Sequence, residues 1–225
     1  MSRRIIVYFY LAIFISANET PSAEESIYKV STANIETINT VTKENSETGY
    51  TFTSTTEKNN EVICICKNDT DSDMATIKFI LNDFENNIRL TGIRSGNMIT
   101  IKGKKADKAI DLTIQIDERK WFQIFPDIPY GMDQFATGEK SRTLFWTISL
   151  DSLSEVLIRA EKKSAQVIPD SVEKAVCIHI TINGVGSIFW GEDYFFRKTD
   201  GLFLYVKGTL KTKENETVIE LIEER

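Results

Sequence analysis

The chain has 225 residues, with 33 acids against 27 lysines and arginines, one histidine, three cysteines and a net charge of −6. That length suits a single domain of about two hundred residues, a size all-β sandwiches and barrels reach without splitting. An acidic chain with scattered lysines lacks the concentrated basic face that a phosphate backbone requires, so nucleic acid is excluded as a partner.

Residues 1–17 carry Arg3 and Arg4, an apolar run from Ile5 to Ile15, and then Ser16 and Ala17. The run is too short to span a bilayer as a helix and fits the apolar region of a secretory signal. We therefore expect export to the periplasm or beyond, with no transmembrane span in the mature form. Removing 1–17 takes two arginines and no acid, moving the net charge from −6 to −8. Residues 18–26 read as a flexible leader, and 27–225 as one β-rich domain.

From Ile27 onward, apolar or alternating runs at 27–34, 48–56, 61–67, 75–82, 87–94, 97–103 and 109–116 predict successive strands. Turn-forming clusters such as Lys58-Asn59-Asn60 and Ser95-Gly96-Asn97 separate them, the spacing of an antiparallel meander, sandwich or open barrel. Residues 121–136 break the pattern, because Pro126 and Pro129 exclude a continuous helix or central strand. Trp121, Phe122, Phe125, Tyr130 and Phe135 must still be buried, so this segment folds back as a plug for an open barrel end or as a lid over a cavity.

A strand follows at 141–148. The spacing of Leu153, Val156, Leu157 and Ala160, with Ser152 and Glu155 as a capping box, predicts a helix over 150–163 lying across the sheet. Strands are expected at 174–182, 187–197, 202–211 and 216–223. The second and third of these meet at Asp200-Gly201, a strong hairpin signal. A two-residue loop puts Trp190, Tyr194, Phe196, Phe203 and Tyr205 on one face and Phe195, Leu202, Leu204 and Val206 on the other. A hairpin apolar on both sides needs protein on both faces, or protein on one and a ligand or partner on the other. The first, aromatic set is the candidate ligand-binding face, and Leu153, Val156 and Leu157 are expected to cover the opposite one.

Cys64-x-Cys66 and Cys177-x-His179 each place two soft ligands on one strand face. The i, i+2 rise of roughly 7 Å is wide for two thiolates on one zinc. Buried or oxidised cysteines fit better, with one disulfide joining Cys177 to Cys64 or Cys66 and no metal or cofactor expected. His179 has no nucleophile motif beside it, and Glu192, Asp193 and Asp200 are acids in an acid-rich chain, so no catalytic residue is assigned. Asn68-Asp69-Thr70 and Asn215-Glu216-Thr217 match the N-glycosylation pattern.

The order of a β-meander, Trp121-Phe122-Gln123 with its proline loop, LFWTISLDSLSEVLIRAEKK at 144–163, FWGEDYFFRKTDGLFLYVKG at 189–208 and a terminal ENETVIELIE resembles a group of exported bacterial proteins of unknown function. In outline these are similar to the Lol-type periplasmic lipoprotein carriers. That resemblance implies a strongly curved antiparallel sheet forming an unclosed half-barrel, with an apolar concave face suited to acyl chains and no catalytic residue. The expected role is noncatalytic binding of a lipid-like or other hydrophobic ligand. Docking of a protein partner on an apolar sheet face is the alternative, and a hydrolase is the third.

Overall fold

The computed structural model describes residues 23–32, 35–124, 129, 131–169, 172–184, 190–208 and 217–225. Its first half is a meander of β1 (Glu24–Thr32), β2 (Ile35–Asn45), β3 (Tyr50–Lys58), β4 (Glu61–Thr70), β5 (Thr76–Asp83), β6 (Ile88–Ser95), β7 (Met98–Lys105) and β8 (Lys108–Gln115). A short helix, α1 (Asp133–Thr137), precedes the second half. That half comprises β9 (Arg142–Ser149), β10 (Ser154–Lys162), the two-residue β11 (Gln166–Val167), β12 (Lys174–Ile182), β13 (Gly191–Phe196), β14 (Phe203–Gly208) and β15 (Thr217–Glu224).

All strands belong to one antiparallel sheet, in the order β8-β7-β6-β5-β4-β3-β2-β1-β15-β14-β13-β12-β10-β9, with β11 beside β12. The halves join where β1 pairs with β15, Val30 opposite Ile219. Among the described residues no ladder connects β8 to β9, so the barrel is unclosed. Its two ends still approach: Lys105 Nζ donates to the carbonyls of Leu150 and Asp151 at 2.8 and 2.9 Å, and the Trp146 indole donates to Asp117 at 2.8 Å.

Interior positions follow the period-two alternation of the strands. One ladder row runs Val41, Ser54, Cys66, Leu81, Leu90 across β2 to β6, and the next runs Phe52, Asn68, Phe79, Gly92, Ile101. Gly92 is required there, because a Cβ would lie 2.2 Å from the Phe79 ring. Strand β2 escapes the sequence reading because its interior residues include Asn39, fully buried and bonded to Ser54 and Thr56, so its apolar alternation is broken. Strand β1 begins at Glu24, inside the expected leader, and Glu25 exchanges backbone bonds of 3.1 and 2.8 Å with Arg225.

The expected helix over 150–163 is instead a tight turn and strand β10. Leu153 adopts φ 52° and its N–H reaches the Ser149 carbonyl at 2.9 Å, reversing the chain. Beyond it Val156, Ile158 and Ala160 point inward while Glu155, Leu157, Arg159 and Glu161 point outward. β-Branched residues on a two-sided ladder, between β9 and β12, outweigh the helical spacing. Ser152 and Ser154 share a hydroxyl–hydroxyl bond of 2.7 Å in place of the capping box.

Candidate functional site

The barrel has two unlike ends. At the end carrying the β2–β3, β4–β5 and β6–β7 connections, residues 120–124 and 131–137 fold inward. Lys120 to Phe122 run parallel to the free edge of β9, with Phe122 N–H on the Trp146 carbonyl at 2.9 Å and Trp146 N–H on the Lys120 carbonyl at 2.8 Å. Gln123 extends this ladder with its side chain: its amide donates to the Ile148 carbonyl at 2.9 Å and accepts from the Ile148 N–H at 3.1 Å and the Trp121 indole at 2.9 Å. On the other side Thr76 N–H bonds the Trp121 carbonyl at 2.7 Å. Trp121, Gln123, Met132 and Phe145 are all buried here.

The Asp200-Gly201 turn presses on α1, since a Cβ on Gly201 (φ 76°) would lie 2.5 Å from the Asp133 carbonyl. A pocket of about 210 Å³ lies beneath this turn, lined by Tyr28, Phe52, Phe196 and Phe203 and rimmed by charges. Arg197 bonds Asp200 at 2.6 Å and Glu224 at 2.7 Å, and Lys43 pairs with Asp133 at 3.5 Å. The Arg197 guanidinium holds both Asp200 and Glu224 below the usual carboxylate range.

At the opposite end a cavity of about 700 Å³ opens between the walls of the second half. Val156 and Ile158 of β10, Ile182 of β12, Tyr194 of β13, Val206 of β14 and Ile219 of β15 supply its apolar lining, joined by Trp190 and Ile124. Its polar groups are Thr147, Ser149, Thr217 and two acids, Asp151 and Glu192; the Glu192 carboxylate accepts from the Tyr194 hydroxyl at 2.8 Å. Gly208 leaves room for that acid, because a Cβ there would come within 3.0 Å of Glu192 Oε1.

The predicted aromatic face is thus divided. Trp190 and Tyr194 line the large cavity, Phe196 and Phe203 line the smaller pocket, and Tyr205 lies on the other side of the sheet. The four-residue turn between Arg197 and Leu202, closed by an Arg197 N–H bond to the Leu202 carbonyl, pairs Phe196 with Phe203. A bulge at Leu204 then pairs Phe195 with Tyr205 and Tyr194 with Val206. Inserting one residue reverses the faces of everything beyond it, so Val206 joins the interior and Tyr205 leaves it. Tyr205 stacks edge-on against Phe195 at 5.8 Å, in a second cluster with Leu204, Cys177, Ala175 and Ile168. Ile168, with the half-buried Leu202, Val218 and Leu221, packs on this outer face, a role expected of Leu153, Val156 and Leu157.

Among the expected lid residues, Trp121 and Phe122 are core residues of the folded-in segment, and Phe135 is half-buried with Lys162 Nζ 5.4 Å from its ring centre. Phe125 and Tyr130 lie outside the described residues. The cavity's aliphatic residues were missed as a set because each sits singly in a different strand; only the inward phase of the alternation links them.

The cysteines correct another expectation. Cys64 and Cys66 face the interior from β4, whereas Cys177 lies in the outer cluster on β12, so a disulfide to Cys177 is excluded, and all three are free thiols. Burial, reinforced by the Asp193 charge, pushes the Cys177 thiol up to about 12. His179, also on the outer face, has Nδ1 2.6 Å from Asp193. Among the described residues no three His, Cys, Asp or Glu side chains gather as metal ligands. Asn68 is 2% exposed and faces the interior, so the first glycosylation pattern is sealed inside the fold; Asn215 lies outside the described residues.

No known protein family matches this chain, and no curated protein does. Among solved structures it is similar to a β-barrel-like protein of the domain of unknown function DUF1849 from Brucella abortus, with a TM-score of 0.52, 12% identity, and coverage of 90% of this chain and 96% of that one. At that identity the likeness concerns the fold, an open β-barrel-like sheet. No helix among the described residues is long and apolar enough to cross a membrane.

Proposed function

We propose that this protein is an exported, noncatalytic binder of a lipid-like or other hydrophobic ligand, which it holds in the cavity at the open end of the barrel. The observation that carries the reading is the cavity itself: about 700 Å³ and apolar on most of its surface. Sites for small apolar molecules have this size and composition. Export is supported by the pattern of residues 1–17, and a carrier role by the outline resemblance to Lol-type half-barrels. The alternative of a partner docked on the hairpin's second face loses support, because Ile168 already packs there.

Native mass spectrometry of gently isolated mature protein is expected to show a co-purifying hydrophobic adduct. Titration with N-phenylnaphthylamine, an apolar fluorescent probe, should quench Trp190 and raise probe emission. Val156→Trp, which projects bulk into the cavity from a half-buried position, should abolish both signals while leaving the circular dichroism spectrum unchanged. An adduct-free mass in every preparation, together with probe emission that Val156→Trp does not alter, overturns the proposal.

A further inference from the structure

Cys64 and Cys66 are the only thiols in the chain placed to react with each other. Both project from the interior face of β4, and their sulfurs lie 3.5 Å apart. Cys66 is 2% exposed, whereas Cys64 is half-buried and nearer the open end, beside the β3–β4 turn. In a regular strand, i and i+2 Cα atoms stand about 7 Å apart, at or beyond the upper limit of about 6.8 Å seen across disulfides. The register is continuous from Cys64 to Cys66, but it breaks immediately before the pair: Thr56 pairs with Cys64 and Glu57 with Val62, so Ile63 is an extra residue in a bulge. A bulge on one side of Cys64 interrupts the ladder there, so the Cys64 backbone can shift toward Cys66 more readily than in an unbroken strand.

We propose that Cys64 and Cys66 form a redox-active dithiol that low-molecular-weight disulfides oxidise to an intrastrand disulfide. Cys64 is the attacking group: it is the more accessible of the two, and its hydrogen bond with Cys66 favours its thiolate, although burial and Asp83, opposite on β5, act against it. The Cys64 sulfur bonds one sulfur of the oxidant RSSR, breaking its S–S bond and releasing RS⁻, which takes up a proton as RSH. Cys66 then loses its proton to water and attacks the Cys64 sulfur of the mixed disulfide, expelling the second RS⁻. Two thiols and one RSSR give one protein disulfide and two RSH, so the oxidant receives the two electrons. Cys177 takes no part, being fully buried on the opposite side of the sheet. This inference is independent of the hydrophobic-ligand reading.

The test treats the intact, reduced protein with oxidised glutathione and follows its mass and free thiols. The wild type and Cys177→Ser should lose the mass of two hydrogens and retain no glutathione; in the wild type one alkylatable thiol, Cys177, remains after unfolding. Cys66→Ser should stop at a single glutathione adduct on Cys64, because no second thiol resolves it. Cys64→Ser, leaving only buried thiols, should react at least about tenfold more slowly. Circular dichroism confirms that each variant is folded. A wild-type protein that retains glutathione without closing, a folded Cys66→Ser variant that takes none, or closure that requires Cys177 would each overturn the proposal.

Discussion

The two ends of this barrel share the same strands yet solve opposite problems. One is filled by residues 120–124 and 131–137, where Trp121, Phe122 and Met132 pack and Gln123 replaces the missing neighbour of β9, bond for bond. The other keeps its alternating aliphatic residues around a cavity of about 700 Å³, more than three times the 210 Å³ pocket left beneath the hairpin turn. Sheet curvature makes a tube; whether an end becomes core or cavity depends on whether a nonrepeating segment is folded into it. Stability therefore concentrates at the filled end, and capacity for a ligand at the other.

Substitutions can break this contrast or sharpen it. The largest effect is expected for Trp121→Ala, which removes a fully buried indole and should cost about 4 kcal/mol in denaturant unfolding. Gln123→Leu keeps the volume but orphans the Ile148 N–H and carbonyl and the Trp121 indole N–H, for a loss of about 2–3 kcal/mol by the same measurement; a loss under about 1 kcal/mol would show that water replaces the amide and the end is not sealed. At the open end Val156→Phe adds bulk where there is space, so its unfolding free energy should stay within about 1.5 kcal/mol of wild type.

The charged rim of the filled end makes a pH-dependent contribution. Arg197 lowers the folded-state affinity of Asp200 and Glu224 for protons, so its stabilisation is present above the unfolded carboxylate range, near pH 4, and is lost as pH falls through the lower folded values. Both acids are about half exposed, which limits the Arg197→Met loss at neutral pH to about 1 kcal/mol. The difference between wild type and variant should vanish in unfolding curves below about pH 3. The smallest effect is a gain: Ala106 holds φ 51° in the two-residue β7–β8 turn, so Ala106→Gly should raise the thermal midpoint, by about 0.5 kcal/mol in free energy.

Most strands and the Asp200-Gly201 reversal were legible in the sequence because alternation and turn residues are local signals. The requirement that both faces of the hairpin be covered was legible too. What covers them was not, since Ile168 and most of the cavity walls lie outside the hairpin's own sequence. Tyr205 went to the wrong face because a bulge at Leu204 leaves no mark in composition, yet reverses every later side chain. The helix read over 150–163 failed for a related reason: Val156 and Ile158 satisfy period two as well as Val156 and Ala160 satisfy the helical spacing, and only neighbours on both sides decide between them.

The ladder between β1 and β15 pairs residue 26 with residue 224. This gives the centre of the sheet, in spatial order, the pairing with the greatest sequence separation of any ladder. Local hairpins such as β6–β7 close quickly, but this pairing requires ordering nearly the whole chain, so folding should be slow and dominated by nonlocal contacts. Until β15 arrives, β1 has an uncovered edge with its backbone bonds unmade, the condition in which chains pair with one another instead of with themselves. Yield on refolding should therefore fall with protein concentration, and a chain truncated before Thr217 should aggregate rather than fold.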